Sequence, residues 1–303
     1  MKQLKAASLI TAIKTPYLAD GEIDLTTYDW LVEQQISAGV DGLIVGGTTG
    51  EGHLLSWEEH IMLIAHTVHK YGEKLIVVGN TGSNNTREAL KATEHGFAMG
   101  MDAALQINPY YGRTSDAGVV EHFKRVLELG PAYIYNVPSR TGQDLTPEII
   151  EQISDHENFI GVKECAGNDR IAYYEAKGIA CWSGNDDESF AARHQHKSHG
   201  VISVTSNIVP EIMRTLMDDE SAVELNQKVQ GMMGWLFCEP NPIAINTALM
   251  MTNAVKPNFR LPYQALTLAQ RQQGFDLLTA VGQENLVGDE LNLLADDDFT
   301  YCV

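Results

Sequence analysis

Short runs of β-branched and apolar residues recur along the chain, each closed by Gly, Asn or Pro. They span Ser8–Ile13, Gly42–Val45, Leu75–Val78, Ala103–Ile107, Ala132–Tyr135, Phe159–Lys163, Ile179–Trp182 and Val201–Val204. The stretches between them carry helical periodicity. The clearest is Trp57–His69, in which Ile61, Ile64, Ala65 and Val68 fall on one face. Eight strands alternating with helices at spacings of roughly 20–35 residues predict an α/β fold, a TIM (β/α)8 barrel. A doubly wound open sheet would show fewer strands and a Gly-rich first turn, which this chain lacks. Beyond residue 210 the strand-like runs stop. A helical pattern follows, broken by Glu239-Pro240-Asn241-Pro242, Pro257 and Pro262, and it ends in the acidic Ala295-Asp296-Asp297-Asp298. The expected organisation is a catalytic barrel over 1–225 and a C-terminal helical subdomain over 226–303, with no Ser/Gly-rich linker between them.

Composition narrows the partners. The 303 residues are 44% hydrophobic and 20% charged, as in a folded chain with a large core. Arg and Lys number 21 against 40 Asp and Glu, a formal net charge of −19. A polyanion would meet a repulsive field, so neither nucleic acid nor an anionic membrane surface is an expected partner, while small anions can bind where a few basic groups gather. Cys165, Cys181, Cys238 and Cys302 lie far apart without C-x-x-C spacing, which predicts reduced thiols in a reducing compartment. The start, Met1-Lys2-Gln3-Leu4-Lys5, leads quickly toward the first strand without the apolar core of a secretory signal. No apolar run approaches the ~18 residues that a membrane span requires.

Chemistry in such barrels sits at the C-terminal ends of the strands. Here those ends carry Gly46-Gly47-Thr48-Thr49-Gly50-Glu51-Gly52, Asn80-Thr81-Gly82-Ser83-Asn84, Asn108-Pro109-Tyr110-Tyr111-Gly112, Tyr135-Asn136-Val137-Pro138-Ser139-Arg140-Thr141-Gly142, Lys163-Glu164 and Ser183-Gly184-Asn185-Asp186-Asp187. Lys163 ends the apolar run Phe159-Ile160-Gly161-Val162, which places its amine at the inner mouth of the barrel. Desolvation there would lower its pKa and expose a nucleophilic amine able to condense with a ketone or aldehyde. The alternative is a strand-end lysine snorkelling to water. Imine chemistry needs a proton shuttle, which the hydroxyls of Tyr135, Thr48, Thr49 and Tyr111 can supply. Otherwise these are core aromatics and turn hydroxyls. Arg140 suits a substrate carboxylate, or is a surface arginine.

Other motifs fail. Gly47 and Gly52 have Walker-like spacing, but His53-Leu54 stand where Lys and Ser/Thr are needed. His194, His196 and His199 lack a carboxylate at metal-ligand spacing and are read as a solvated face, so no metal site is expected. Ser139 lacks a G-x-S-x-G elbow.

Taken in order, Gly-Gly-Thr48-Thr49-Gly-Glu, Tyr135-Asn-Val-Pro-Ser-Arg140-Thr-Gly, Gly-Val-Lys163-Glu and Gly200-Val-Ile-Ser-Val-Thr205 resemble the dihydrodipicolinate synthase (4-hydroxy-tetrahydrodipicolinate synthase) family over essentially the whole chain. The plant-type branch is most similar, through Gly46–His60 with Trp57, Asn80–Glu88 and Trp235–Pro242. The resemblance implies a lysine-dependent lyase of the class I aldolase type. It would condense pyruvate with L-aspartate 4-semialdehyde to 4-hydroxy-tetrahydrodipicolinate, the first committed step of lysine biosynthesis. Lys163 would form the imine with pyruvate, with no metal or organic cofactor. Tyr135, Thr49 and Tyr111 would relay protons, the Tyr111 equivalent reaching across a dimer interface. Thr48, together with Thr49 and nearby backbone amides, would hold the pyruvate carboxylate, and Arg140 that of the semialdehyde. Gly184 and Ile202 would line the site by backbone.

The resemblance also implies an allosteric L-lysine site formed by Gly52, His53, Trp57, His60, Asn84, Glu88 and Tyr110. It implies a homo-oligomer, a tetramer of tight dimers. The compartment would be the cytoplasm for a bacterial protein and the plastid stroma for a processed plant one. Sister enzymes, N-acetylneuraminate lyase and 2-oxo-sugar-acid aldolases, share the Lys, the Tyr and the barrel, and Arg140 with Thr48-Thr49 argues against them. A non-catalytic lysine-binding scaffold would be marked by loss of Lys163 or Tyr135, and both are present.

Overall fold

The structure is a computed structural model that describes residues 2–303. Eight parallel strands close into a barrel in sequence order: β1 Leu9–Ala12, β2 Gly42–Val45, β3 Ile76–Asn80, β4 Ala103–Ile107, β5 Ala132–Asn136, β6 Phe159–Glu164, β7 Cys181–Ser183 and β8 Gly200–Ser203. Each matches one of the eight apolar runs. Nearly every strand position is buried, as expected for parallel strands covered on both faces by side chains and helices.

Helices fill the crossovers, and local chemistry sets several of their starts. The Asp24 carboxylate caps Leu25–Ser37 by accepting from Thr27 N, Asn85 caps Thr86–Ala98 through Arg87 N, and Ser115 caps Asp116–Leu127 through Gly118 N. Helix Trp57–Tyr71 carries Glu58 and Glu59 at its start and His69 and Lys70 at its end, complementing its dipole. Its buried stripe is His60, Leu63, Ile64, Thr67 and Tyr71, whereas Ile61, Ala65 and Val68 are half-buried. The packed face is thus rotated from the one the aliphatic residues alone suggest, because Thr67 and Tyr71 continue the Leu63–Ile64 stripe.

Two compact units interleave along the chain. The first takes the stretch up to Ile10, Asp41–Val45 and Trp57–Ile202. Its interior floor is built on Trp182, whose Nε1 donates to Ala7 O at 2.7 Å and whose ring meets Tyr133 edge-on at 5.0 Å; the Tyr133 hydroxyl donates to Leu4 O. Gly161 makes room for that indole: a Cβ there would lie 2.7 Å from the Trp182 ring, besides colliding with Ala180 O.

The second unit takes Thr11–Val40, Gly46–Ser56 and Ser203–Val303. Helices Val223–Trp235 and Leu268–Val281 approach closely because Gly274 leaves space for Trp235, whose Nε1 donates to Gln270 O at 2.8 Å. The region is not purely helical. β9 Asn258–Arg260 pairs in parallel with β10 Thr300–Cys302, strands too short and too polar to read as apolar runs. The acidic end is exposed but tethered, since Asp296 pairs with the buried Arg271. No helix among the described residues is long and apolar enough to cross a membrane.

Candidate active site

In the first unit, β5 and β6 pair so that Tyr135 stands opposite Lys163, and β7 sets Trp182 opposite Lys163 on the other side. Tyr135 and Lys163 are therefore level across their strand pair, whereas the Trp182 ring packs against Tyr133 and over Gly161, two residues earlier on β5 and β6. Lys163 is only 6% exposed, and its Nζ lies 4.4 Å from the centroid of the Tyr135 ring. Burial holds its amine below the ordinary lysine range. Cys165 and Asp186 act the other way and Arg140 reinforces the depression. Gly184 is required beside it, because an added Cβ would lie 3.2 Å from Lys163 Cε and collide with Cys165 Sγ. Ile202 is fully buried on β8.

The residues flanking Lys163 carry signals the sequence reading passed over. Glu164 is buried, and its carboxyl is pushed up to about 7 by burial, against the backbone N–H of Ala166, Arg170 and Asn136. The Cys165 thiol is likewise pushed up to about 11 by burial, which keeps it protonated and inert. Glu164 and Asp144 both accept from Asn136 Nδ2, at 2.9 and 2.7 Å, while Asn136 Oδ1 accepts from Leu145 N and Arg170 clamps Asp144 at 2.8 Å. This network ties down both ends of the loop that carries Arg140, which is exposed on the short helix Pro138–Thr141 ending at a left-handed Gly142.

Tyr111 is not brought to Lys163. It projects from the β4 loop at 91% exposure, in a left-handed conformation (φ 67°) that a tyrosine rarely adopts; Arg113 nearby shares it (φ 45°).

Of the expected lysine-site residues, the first unit holds Trp57, His60, Asn84, Glu88 and Tyr110. Asn84 Nδ2 donates to Tyr110 O at 3.3 Å. The Trp57 indole lies 5.6 Å from the His60 ring and donates to His95 Nδ1 at 3.4 Å, so His95 joins this cluster although the sequence reading did not single it out. Glu88 is exposed in the first turn of Thr86–Ala98.

In the second unit, the turn after β2 holds Thr48, Thr49, Gly52 and His53. Thr49 is 1% exposed and its Oγ1 accepts from Asn241 Nδ2 at 3.0 Å; Thr48 is half-buried. His53 is exposed and its Nε2 lies 2.9 Å from the Tyr263 hydroxyl. The three histidines read as a solvated face are instead half-buried, with His199 Nδ1 bonded to Glu175 at 3.1 Å and its ring 5.0 Å from Trp182.

A desolvated amine against a tyrosine at the C-terminal end of a barrel strand defines a Schiff-base-forming lyase of the class I aldolase type. The comparisons with known proteins sharpen that class. The model of the Dihydrodipicolinate synthetase family matches residues 5–281. A curated chloroplastic 4-hydroxy-tetrahydrodipicolinate synthase 2 of Triticum aestivum is 56% identical over 297 residues, 98% of this chain and 79% of that one. Among solved structures, a dihydrodipicolinate synthase from Acinetobacter baumannii complexed with pyruvate superposes with TM-score 0.87 at 32% identity, covering 91% of this chain and 99% of that one. The enzyme from Cyanidioschyzon merolae with lysine bound gives 0.86 at 29%, covering 92% and 99%. The chain belongs to the dihydrodipicolinate synthetase family, and its similarity runs to the plant-type branch.

Proposed function

We propose that this chain condenses pyruvate with L-aspartate 4-semialdehyde to 4-hydroxy-tetrahydrodipicolinate, opening lysine biosynthesis. The observation that carries the reading is the buried Lys163 amine, held below the ordinary lysine range and seated over Tyr135. The neutral amine adds to the pyruvate carbonyl carbon, and loss of water leaves an imine. Its positive charge draws electrons from the methyl group, which loses a proton to give an enamine. The enamine carbon attacks the aldehyde carbonyl, and the alkoxide formed takes a proton. The substrate's own amine then displaces Lys163 as the ring closes. Water leaves in the first step and Lys163 is regenerated in the last, so the imine is the electron sink and the chemistry calls for no metal or organic cofactor.

Tyr135, Tyr111 and one of the two threonines carry the protons. Thr49 Oγ1 already accepts from Asn241, which fixes the oxygen and leaves its proton to donate. That suits the pyruvate carboxylate and leaves Thr48 to the relay, the reverse of the split the resemblance implies, in which Thr49 relays protons and Thr48 holds the carboxylate. Arg140 takes the semialdehyde carboxylate. The exposure of Tyr111 supports a relay member that serves a neighbouring protomer, in a tetramer of tight dimers. The Trp57–His60 cluster, with Glu88, Asn84, Tyr110, Gly52 and His53, is the site at which L-lysine inhibits. The plant resemblance supports the plastid stroma, and the run of all eight barrel strands before residue 225 supports the division into 1–225 and 226–303.

The decisive experiment is turnover of both substrates coupled to the next reductase, with and without L-lysine, alongside borohydride trapping of pyruvate. Trapping in the wild type and none in Lys163→Ala is the expected result. Equal trapping in both would place the nucleophile elsewhere. Trapping without turnover would overturn the second substrate, and turnover indifferent to L-lysine would remove the inhibitory site.

A further inference from the structure

Lys14 follows the apolar run of β1 much as Lys163 follows that of β6, and it is 1% exposed. Its ammonium forms an ion pair with Glu51, which is fully buried. The same carboxylate oxygen, Glu51 Oε1, accepts from Asn246 Nδ2 at 2.7 Å, from helix Ile243–Met251. Two further contacts staple this turn to the β1 extension. Thr15 Oγ1 donates to Gly50 O at 2.7 Å, and Gly50 sits so close to Ile13 O that a Cβ would fall 2.7 Å from it. Glu51 itself is left-handed (φ 56°), a conformation that a non-glycine residue keeps only when its surroundings over-determine it.

This arrangement is a poor way to stabilise a turn. Two charges removed from water recover their hydration only with excellent geometry and further bonds, and an apolar replacement is often as stable or more so. Glu51 Oε2 is buried without a hydrogen-bond partner among the described residues. What the arrangement does supply is a fixed position. Glu51 lies two residues beyond Thr49, its N–H donates to Thr48 O at 3.1 Å, and Gly52 N donates to Gly47 O, so the backbone that presents both threonines closes on the clamped residue.

We propose that Lys14, Glu51 and Asn246 are positioning residues for pyruvate recognition, a buried charged clamp that sets the Thr48–Thr49 turn in register for the substrate carboxylate. The inference rests on the threonine roles proposed above and goes beyond them by assigning the selection of pyruvate to residues that do not touch it. The three come from distant parts of the chain, so the segment after β8 contributes to the threonine turn through Asn246 as well as through Asn241.

The test uses the full-length protein with Lys14→Met/Glu51→Gln, which replaces both charges at once, and Asn246→Leu, which removes one bond and no charge. For each, the melting temperature, the KM for pyruvate, the KM for the semialdehyde and kcat are measured, with borohydride trapping followed against pyruvate concentration. In the double variant the pyruvate KM is expected to rise about tenfold or more, with the semialdehyde KM within about twofold of wild type and trapping still complete at saturating pyruvate. Asn246→Leu shifts the pyruvate KM the same way, about threefold. A folded double variant with wild-type pyruvate KM overturns the clamp. If the double variant does not fold, an unchanged pyruvate KM in Asn246→Leu overturns it instead, and a selective rise supports it. Equal rises in both KM values would mark a merely structural role and overturn it too. Failure of the wild type itself to trap pyruvate would sink the Lys163 chemistry, an outcome distinct from any of these.

Discussion

The floor and the mouth of the barrel in the first unit are made from the same strands and solve opposite problems. At the floor, polar groups end in bonds. Trp182 Nε1 and the Tyr133 hydroxyl reach backbone carbonyls, Asp41 Oδ2 accepts from Ser8 N and Leu9 N, and Asp102 Oδ2 accepts from Val77 N. At the mouth, burial is used to disturb. Lys163 is pushed toward its neutral form, Glu164 is raised to about 7, and Tyr111 and Arg113 hold strained backbone. Satisfied polar groups gather at one end of the strands, and the other end, where the chemistry is proposed, carries groups in unfavourable states.

That contrast can be broken from either side. The largest effect is expected at the mouth. Lys163→Ala should lower turnover on the order of 10⁴-fold or more and abolish borohydride trapping. Its melting temperature should equal or exceed that of the wild type, because a desolvated amine is removed; a large drop measured by calorimetry would mean Lys163 is structural. At the floor the reverse holds. Trp182→Ala should cost about 4 kcal/mol of stability through the cavity it leaves, with the surviving folded protein still able to trap pyruvate in the cold. Loss of trapping without loss of stability would erase the division between the two ends.

Arg140→Ala sharpens the comparison within the mouth. Pyruvate trapping should be spared while kcat/KM for the semialdehyde falls about 10²-fold, as for a lost charge-assisted pair. A matching loss for pyruvate would place Arg140 on the first substrate instead.

The smallest expected effect concerns Glu164. Burial pushes its carboxyl up to about 7 in the folded chain, from the ordinary 4.5. Between those values the folded chain holds a proton the unfolded chain has released, so this group makes stability fall as pH rises through that window, by an amount on the order of 1–3 kcal/mol. Glu164→Gln should flatten that part of the pH–stability curve in urea titrations at pH 5 and 8. A slope unchanged by the substitution would show that other groups govern it.

Much of this molecule was readable along the chain. Each barrel strand is a run of apolar residues ended by turn formers, and those local rules placed all eight. Lys163 was legible because a lysine ending an apolar run is conspicuous. The same rule applies to Lys14, which follows Ile13 directly, but its partners Glu51 and Asn246 lie 37 and 232 residues further on, and no short stretch of chain brings them to it. Asn241 was hidden in a Pro-rich break that looked like punctuation. β9 and β10 escaped because three-residue strands carry too little periodicity to register.

The amino-acid sequence by itself determined the barrel and pointed to the strand ends and the lysine proposed to carry the chemistry, because strand periodicity and turn residues act over a few positions. Only the tertiary structure decided which groups are desolvated. Burial, the Lys14–Glu51 pair, the raised Glu164 carboxyl and the space that Gly184 leaves for Lys163 all depend on residues brought together from distant strands and helices. Dielectric environment and close packing belong to that assembly, and no short stretch of chain contains them.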